Sequence, residues 1–453
     1  MVYRLKNSLQ RRSLKNSAKT TADFLTERSS QGQRGPSKVG MINLGCARNL
    51  VDSQMILGRL KRNGHRIVDA EKSDVMIVNT CSFIEEARQE SVDVILDLLE
   101  LKKKGKIKKV IVAGCLAQRY GKELAEEFKE VDAFVGTPSL PKEGAVPQYS
   151  LTPAHLAYVK ICESCFNQCS FCAIPHIKGK FSSRTIESIV EEVKALDRRG
   201  VREINIIGQD ITAYGMDLYR TKSLARLLKE VVAATQNIQW IRLLYAFPAH
   251  MTDELIDLMA NEEKICNYID MPLQHISDPI LYSMHRSITK DQTLDLIKKI
   301  RTQIPNGSLR TTFIVGFPGE TEENFSELLS FVKQTQFERA GVFVYSKEEG
   351  TSAYDLPNQV PEKIKKKRID LLMQTQQEIS KEIQKQFLGR RLKVLIDEKQ
   401  KNETDIYLGR SEFDAPEVDG MVYVHSKRIL KPGDFVEVEV SDTLEYDLAG
   451  ELL

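Results

Sequence analysis

Residues 165–172 read Cys165-Phe-Asn-Gln-Cys169-Ser-Phe-Cys172, which places three cysteines in one tight C-x3-C-x2-C loop. The loop follows a short apolar run, residues 157–161, that has the pattern of a β-strand. Three further cysteines lie far apart in the sequence, yet each also stands directly after a short apolar run: Cys46, Cys81 and Cys115. Six of the eight cysteines therefore form two sets of three.

Three thiolates can hold a four-iron cluster and leave one iron with an open position, so two sets suggest two clusters. For the compact set the alternative is a four-cysteine zinc site, because Cys162 precedes Cys165 by three residues. Structural zinc sites usually join two separated C-x2-C pairs, so we interpret the loop as an iron site with Cys162 as a bystander. For the separated set the alternative is three buried cysteines that act as small apolar residues.

The bulk composition indicates an ordinary globular protein of two to four domains. The chain has 453 residues, of which 42% are hydrophobic and 28% charged. We find neither an apolar run of about 18 residues nor the apolar core of a secretory signal, so we expect no membrane span. A cytoplasmic location follows, where cysteines serve metal chemistry more often than disulfides.

The first 39 residues carry nine Lys/Arg against two acidic residues, a net charge of +7. They lack sustained apolar periodicity, so we expect a basic and disordered extension over residues 1–38. This extension is interpreted either as an arm that contacts RNA or as a solubilising segment.

Residues 39–150 alternate between strand and helix patterns, which predicts a parallel sheet in an amino-terminal α/β domain. Each predicted strand ends at one cysteine of the separated set. Ligands of such sheets bind beyond the carboxyl ends of the strands, so the fold should bring these three thiols to one edge. The predicted strands are 39–44, 75–78 and 110–113, and the predicted helices are 49–63, 85–101 and 116–129.

Residues 151–386 continue the alternation after a Pro/Gly-rich linker at 141–153. Six strands with intervening helices predict a central open (β/α)6 TIM-like barrel, whose working face is at the strand carboxyl ends. The predicted strands are 157–161, 203–207, 241–245, 268–271, 311–315 and 341–345. The predicted helices are 186–199, 224–234, 253–261, 291–302 and 323–334.

A charged helix at 361–385 leads into residues 387–453, where short strands predict a small carboxy-terminal antiparallel β-barrel. The predicted strands are 392–396, 406–409, 422–424 and 435–440. Residues 391–453 carry fifteen Asp/Glu against eight Lys/Arg, a net charge of −7. A barrel that binds RNA phosphates should be basic, so this one suits a basic protein partner.

The cysteine loop, with the aromatic Phe171 before its third cysteine, resembles the signature of the radical S-adenosylmethionine enzymes. The chain as a whole resembles their methylthiotransferase family over about residues 40–453, with residues 388–453 similar to its TRAM barrel. The stretches that resemble the amino-terminal domain of that family are Asn43-Leu-Gly-Cys46-Ala-Arg-Asn-Leu-Val-Asp-Ser53, Asn79-Thr-Cys81-Ser-Phe-Ile-Glu and Ala113-Gly-Cys115-Leu-Ala-Gln118.

One branch of the family modifies an adenosine of transfer RNA, and the other modifies the β-carbon of an aspartate in the twelfth protein of the small ribosomal subunit. Ser82-Phe-Ile-Glu-Glu, Gln209-Asp-Ile-Thr-Ala-Tyr-Gly215 and Pro272-Leu-Gln-His-Ile-Ser-Asp278 are similar to the ribosomal-protein branch. Ala47 and Arg48 depart from its usual Pro-Lys. Modification of transfer RNA remains the alternative, and a zinc-stabilised ribosome-binding factor without catalysis is a third hypothesis.

The resemblance implies two 4Fe-4S clusters with separate tasks. The cluster on Cys46, Cys81 and Cys115 would hold the sulfur to be inserted, which one S-adenosylmethionine methylates. A second S-adenosylmethionine, at the cluster on Cys165, Cys169 and Cys172, would yield the 5′-deoxyadenosyl radical that removes a hydrogen from the substrate. Both open iron sites would then face one cavity. The implied partners are a reductant such as flavodoxin or ferredoxin, a sulfur donor and the ribosomal protein.

Residues of the S-adenosylmethionine pocket are harder to assign from the sequence. We name as candidates Phe171, Gln209, Asp210, Arg310 and Gly316. Strand-end capping and salt bridges are the alternative for Gln209, Asp210 and Arg310. His176, His250 and His275 are interpreted as structural histidines, and Cys266 as a buried, inert thiol.

Overall fold

The computed structural model describes residues 36–141, 149–401, 403 and 405–453. Most of the predicted basic extension (residues 1–35) and the middle of the predicted linker (142–148) lie outside the described residues. The chain forms two compact units. The first holds the described residues of Met1–Pro141, Ala145–Leu151 and Ala173–Lys180, and the second holds Thr152–Cys172 and Phe181–Leu453. Residues 173–180, which the sequence assigned to the central domain, therefore pack in the first unit.

The first unit is built on a parallel sheet in the strand order β2-β1-β3-β4-β5. Its strands are β1 (Lys38–Asn43), β2 (Arg66–Ile67), β3 (Val75–Thr80), β4 (Lys109–Gly114) and β5 (Ala133–Val135). Its helices are α1 (Ala47–Arg62), α2 (Glu85–Lys103), α3 (Cys115–Glu127) and α4 (Ile174–Lys178). Apolar clusters lie on both faces of the sheet, and all of β3 is buried, as expected for a parallel strand covered on two sides. The three predicted strands are confirmed, whereas β2 and β5 were not predicted.

The second unit contains a six-stranded parallel sheet in the order β13-β12-β11-β10-β9-β6 and a two-stranded hairpin, β7-β8. The strands are β6 (Leu156–Lys160), β7 (Cys162–Glu163), β8 (Ser182–Ser183), β9 (Glu203–Ile207), β10 (Trp240–Leu243), β11 (Ile265–Asp270), β12 (Ser308–Val315) and β13 (Arg339–Val344). The helices are α5 (Ile186–Arg198), α6 (Leu224–Ala233), α7 (Asp253–Asn261), α8 (Asp278–Ser283), α9 (Lys290–Gln303), α10 (Glu322–Thr335) and α11 (Glu362–Lys385). The predicted open six-stranded α/β architecture is confirmed.

Local sequence explains where several of these helices begin. Thr289 and Gln292 form a reciprocal capping box at the start of α9, and Thr321 and Asn324 do the same for α10. Each box satisfies backbone N–H groups that have no partner inside the helix. The helix starts were therefore predictable to within one or two residues.

The carboxy-terminal part of the second unit is a closed five-stranded barrel in the order β14-β15-β16-β18-β17. Its strands are β14 (Arg391–Lys399), β15 (Ile406–Ser411), β16 (Val422–His425), β17 (Phe435–Thr443) and β18 (Leu448–Leu452). The sequence did not predict β18, which pairs in parallel with β16, whereas the other four pairings are antiparallel. The reason is geometric, because a closed ring with an odd number of strands cannot alternate direction at every pairing.

This barrel packs at the amino-terminal ends of the central strands through buried ion pairs. Glu203, the first residue of β9, lies 3.0 Å from Arg242 Nε and 2.7 Å from Arg410 Nη1 of the barrel. Arg339, the first residue of β13, lies 2.6 Å from Asp414. The opposite, carboxyl ends of the strands carry the cysteine loop.

Arg310 belongs to the same set of ion pairs, which corrects its assignment to the S-adenosylmethionine pocket. Its side chain lies 2.8 Å from Asp270 and 3.6 Å from Asp419 of the barrel. Arg310 is the third residue of β12, six residues and about 20 Å along the strand from Gly316 at the carboxyl end. The predicted strand 311–315 placed Arg310 directly before it, but the sequence did not show that Asp270 and Asp419 would be its partners.

None of the helices in the described part of the chain combines the length and the apolar composition that crossing a membrane requires.

Candidate metal and S-adenosylmethionine sites

The separated cysteines lie at the carboxyl ends of three neighbouring strands of the first unit, as predicted. Cys46 caps α1 after β1, Cys81 follows β3, and Cys115 is the first residue of α3 after β4. A Cβ atom added at Gly45 would lie 2.9 Å from Cys81 Cβ, so only glycine lets these two loops approach so closely. The positive φ of 87° at Gly45 favours the same residue.

The side chain of Asn49, near the start of α1, ties the three strand ends together. Its Nδ2 donates to the carbonyls of Leu44 (2.9 Å) and Thr80 (3.1 Å), and Cys115 Sγ lies 3.6 Å from its Oδ1. Asn79 donates to the Asn49 carbonyl at 2.7 Å. The sequence pattern does not indicate a role for Asn49, because its partners are up to 66 residues away.

Burial raises the pKa of these thiols, whereas nearby cations lower it. Burial raises the pKa of Cys115 to about 12 and also raises the pKa of Cys81. Burial acts on Cys46 as well, but the positive charge of Arg48 and backbone N–H groups hold its pKa below the ordinary value. A bound metal removes the thiol proton in any case. Two helix N-termini, at Cys46 and Cys115, add further positive potential.

Helix α4 brings a second cation to this site from the segment that directly follows Cys172. Ala173 and Ile177 pack with Cys115 in one buried cluster of the first unit. Lys178 at the end of α4 raises the positive potential at Cys46 and Cys115, and it pairs with Asp52 of α1. The first set of thiols therefore lies among groups that stabilise negative charge.

The compact cysteine set lies in the loop after β7 in the second unit, and a turn at the end of α8 holds this loop. Ser170 donates its N–H to the Met284 carbonyl (3.0 Å) and its hydroxyl to the Ser283 carbonyl (2.7 Å). Arg286 Nη1 lies 3.6 Å from Cys169 Sγ. Nothing in the sequence pattern of residues 283–286 indicates a partner more than 110 residues earlier, so their contact with the cysteine loop could not be predicted.

Asp210, a predicted pocket residue, holds the other side of the loop. Its carboxylate accepts hydrogen bonds from Asn167 Nδ2 (2.8 Å) and from the backbone N–H of Thr212 (3.0 Å), and it lies 2.7 Å from His250 Nδ1. Asn167 Nδ2 is also 3.7 Å from Cys165 Sγ. Burial opposes the charge of Asp210, but His250 and these donors keep its pKa below the ordinary value.

The structure gives the other predicted pocket residues different surroundings. Phe171 packs against a small apolar cluster that includes Phe317 and Tyr345. Gln209 is partly exposed at the end of β9, between Gly208 and Asp210. At Gly316, which follows β12, an added Cβ would lie 2.3 Å from Lys365 Cγ, so the glycine accommodates this lysine side chain, and its role in the S-adenosylmethionine pocket stays a prediction.

The remaining cysteines and histidines also have defined places. Cys162 is buried in the core against Gly208, where an added Cβ would lie 2.5 Å from its sulfur. Cys266 is buried, and burial raises its pKa to about 12. His250 pairs with Asp210, whereas His275 is fully buried and accepts from the Ser277 N–H at 3.0 Å.

Both cysteine sets suit an iron–sulfur cluster by their chemistry, since each offers three thiols and hydrogen-bond donors or cations beside them. Among the residues that the structure describes, no group of three or more His, Cys, Asp or Glu side chains is arranged around a single metal ion. A four-iron cluster binds its thiolates at separate iron atoms, so its ligands surround a larger core.

Three family models match the chain in succession. The uncharacterized protein family UPF0004 matches residues 38–136, the radical SAM superfamily matches 159–332, and the TRAM domain matches 388–453. Among solved structures, the radical S-adenosylmethionine methyltransferase TsrM from Kitasatospora setae, with cobalamin and a 4Fe-4S cluster bound, has a TM-score of 0.51. It is 14% identical, and 79% of each chain is covered, so this likeness shows the fold alone.

Curated relatives are much closer in sequence. The ribosomal protein uS12 methylthiotransferase RimO of Desulforamulus reducens is 47% identical over 91% of this chain and 99% of its own length. The proteins of the same name from Clostridioides difficile and Geobacter sulfurreducens are 44% and 45% identical, each over 92% of this chain and 99% and 98% of their own lengths. The chain therefore belongs to the RimO family of radical S-adenosylmethionine methylthiotransferases.

Proposed function

We propose that this protein adds a methylthio group to the β-carbon of an aspartate in ribosomal protein uS12. S-adenosylmethionine is the methyl donor and also the source of the 5′-deoxyadenosyl radical. The observation that carries the proposal is the presence of two sets of three thiols, each at the carboxyl ends of parallel strands. The printed function of the 43–47% identical relatives supports uS12 as the substrate.

The chain's own residues have distinct tasks in this proposal. Cys46, Cys81 and Cys115 hold one cluster, and Cys165, Cys169 and Cys172 hold the other. When bound, the clusters supply electron transfer and a sulfur to be inserted. Phe171, Gln209 and Asp210 border the site of S-adenosylmethionine, and Asp210 fixes the cysteine loop through its hydrogen bond from Asn167.

We further infer that the protein works in the cytoplasm with a reductant such as flavodoxin or ferredoxin and with a sulfur donor. Cleavage of S-adenosylmethionine to methionine and the 5′-deoxyadenosyl radical consumes one electron, which an external reductant must supply through the cluster, and an inserted sulfur must be replaced after each turnover. For the domains we keep the division into 39–150, 151–386 and 387–453, with residues 1–38 as an extension. The three family matches support this division.

The charge of the carboxy-terminal barrel supports a protein substrate less strongly than its composition suggested. Asp397 and Asp414 form ion pairs with buried arginines, and Asp419 pairs with the partly buried Arg310. Among residues 391–453, the exposed charged side chains are nine acidic and seven basic ones, a nearly balanced surface. The choice of uS12 over transfer RNA therefore depends on the similarity to relatives rather than on charge.

The experiment is an anaerobic assay of the cluster-loaded protein with a uS12 loop peptide and, separately, with transfer RNA. We expect the methylthio mass increment on the aspartate of the peptide, with little change when residues 1–35 are deleted. An increment on transfer RNA alone would reject the proposal in favour of the alternative.

Metal analysis of the same protein tests the cofactor assignment. Two four-iron clusters predict about eight irons per chain, with sulfide in equal amount. Stoichiometric zinc in place of iron would favour a ribosome-binding factor without catalysis.

A further inference from the structure

Arg286 stands out among the buried arginines of the protein. Six arginines in the described residues are more than nine-tenths buried. Five of them have a carboxylate within 4 Å, namely Arg184 with Glu192, Arg242 with Glu203, Arg339 with Asp414, Arg368 with Glu320 and Arg410 with Asp397. Arg286 is the exception, since its neighbours are a cysteine sulfur, a carbonyl and an aromatic ring.

The contacts of the guanidinium fix its position closely. Nη1 lies 3.6 Å from Cys169 Sγ, and Nη2 donates to the Pro272 carbonyl at 2.6 Å. The guanidinium carbon is 3.9 Å from the centroid of the Phe247 ring, a cation–π contact. Nε is buried and has no hydrogen-bond partner among the residues that the structure describes. Of the partners that these contacts give the guanidinium among the described residues, the sulfur of Cys169 is the one that can carry a negative charge.

The backbone around Arg286 is held against the same loop. His285 has a positive φ of 53°, a strained conformation for a residue with a side chain, and its Nδ1 lies 3.3 Å from the Gln168 carbonyl. The two hydrogen bonds of Ser170 to residues 283 and 284 lie beside it. The arginine and the cysteine loop are thus one unit, so the distance between guanidinium and sulfur is not set by a flexible side chain alone.

A buried cation without a counter-charge is strongly destabilising, and the other five arginines have carboxylates that compensate their charge. Three thiolates around a four-iron core carry a net negative charge, and reduction by one electron makes that charge larger. A fixed cation beside one of those thiolates stabilises the reduced form more than the oxidised form.

We propose that Arg286 is a positioning residue that fixes the sulfur of Cys169 and raises the reduction potential of the cluster on Cys165, Cys169 and Cys172. This inference rests on the ligand assignment of the proposed function. It concerns the ease of electron entry into the cluster and does not depend on which substrate is modified.

The test is an EPR-monitored redox titration with dithionite, without S-adenosylmethionine, on the full chain with Cys46, Cys81 and Cys115 replaced by alanine. In this background the variants R286A, R286Q and R286K are compared. We expect R286A and R286Q to lower the reduced-to-oxidised ratio at a fixed potential at least tenfold, about 59 mV for one electron. R286K keeps the positive charge, so its cluster should have a reduction potential close to that of the parent. The control R226A removes an exposed arginine and should leave the potential unchanged.

The inference would be overturned if R286A and R286Q had the same reduction potential as the parent. It would also be overturned if R286K and R286Q lowered the reduction potential equally. Loss of iron in all three variants would also overturn it, because Arg286 would then be only a structural support. If C169A retains its iron and its EPR signal, the ligand assignment itself fails, which separates that result from a failure of the role of Arg286.

Discussion

Lys178 Nζ lies 3.0 Å from Asp52 Oδ2, and both side chains are almost completely buried, with 1% and 0% exposed. The pair joins α4 to α1 within the first unit, directly beside Cys46 and Cys115. Lys178 comes only six residues after Cys172, the last thiol of the compact set. The residues that follow one cysteine set thus stabilise the surroundings of the other.

Breaking this pair should destabilise the first unit strongly. Removal of one member of a buried ion pair leaves the other charge without its partner, which costs about 3–5 kcal/mol. We expect such a loss in the free energy of unfolding for K178M and for D52N in urea denaturation. The double variant K178M/D52N should lose less than the sum of the two. Strict additivity would show that the pair is not coupled.

The ion pairs between the central strands and the carboxy-terminal barrel should behave in the same way. E203Q removes the carboxylate shared by Arg242 and Arg410, and we expect it to lower the free energy of unfolding by about 3–5 kcal/mol. The matched control is E254Q, because Glu254 pairs with Lys229 with 61% and 55% of the side chains exposed. We expect a change below about 1 kcal/mol there. Similar effects in both variants would contradict a special role of the buried pairs.

Asp397 should contribute a defined part of the acid sensitivity. Burial opposes its charge, but hydrogen bonds from His155 and Arg410 hold its pKa below the ordinary value. A carboxylate whose pKa is lowered on folding stabilises the fold above its unfolded pKa, about 4, and loses this contribution as the pH falls through the folded value. D397N should therefore show a shallower loss of stability below about pH 4, measured by urea denaturation across pH. The exposed Asp442 serves as the control, and an unchanged profile in D397N would contradict the assignment.

Gly114 should be needed to place Cys115. Its φ is 93°, and an added Cβ would lie 2.2 Å from Asn79 Oδ1 and 2.7 Å from the Thr80 carbonyl. Since backbone must move, we expect G114A to lose iron from the first cysteine set, about half of the total, in anaerobic reconstitution. The control is G64A, where φ is 86° but the added Cβ meets nothing within 4 Å. It should cost about 1–2 kcal/mol of stability and no iron.

The two cysteine sets should separate the two chemical steps. We expect C169A to abolish release of 5′-deoxyadenosine, because in the proposed function the compact set holds the cluster that cleaves S-adenosylmethionine. C81A should retain part of that cleavage yet form no methylthio product. Both products are measured by chromatography with mass detection. Equal loss of cleavage in C81A, with the iron of the compact set still present, would argue against separate tasks.

Most of the secondary structure could be predicted from the sequence because it depends on local periodicity. The strand at Glu203–Ile207 and the helix at Asp253–Asn261 have the predicted bounds, and the capping residues mark helix starts. Strand β18 was not predicted, since its five residues, Leu-Ala-Gly-Glu-Leu, show no clear alternation of apolar and polar side chains. Its place between β16 and β17 is set by closure of the barrel.

The features of the candidate sites likewise divide into those that local sequence indicates and those that depend on distant residues. The positions of the two sets of thiols could be predicted from strand ends and from spacing, and their role as cluster ligands stays a prediction. The ion pairs of Arg310 and the close approach of Lys365 to Gly316 could not be predicted. Both features depend on neighbours that are distant in the chain, Asp419 for Arg310 and Lys365 for Gly316, which are about 110 and 50 residues away.

By itself the sequence determined the order of strands and helices, the two sets of thiols and the edge of the sheet to which they belong. These features follow from short-range patterns, because a strand period and a cysteine spacing are properties of neighbouring residues. Only the tertiary structure decided that α4 packs with the first unit and that Asn49, Lys178 and Arg286 stand beside the thiols. Such contacts join segments that are distant in sequence. They form only when the packed chain brings buried polar and charged groups to their partners.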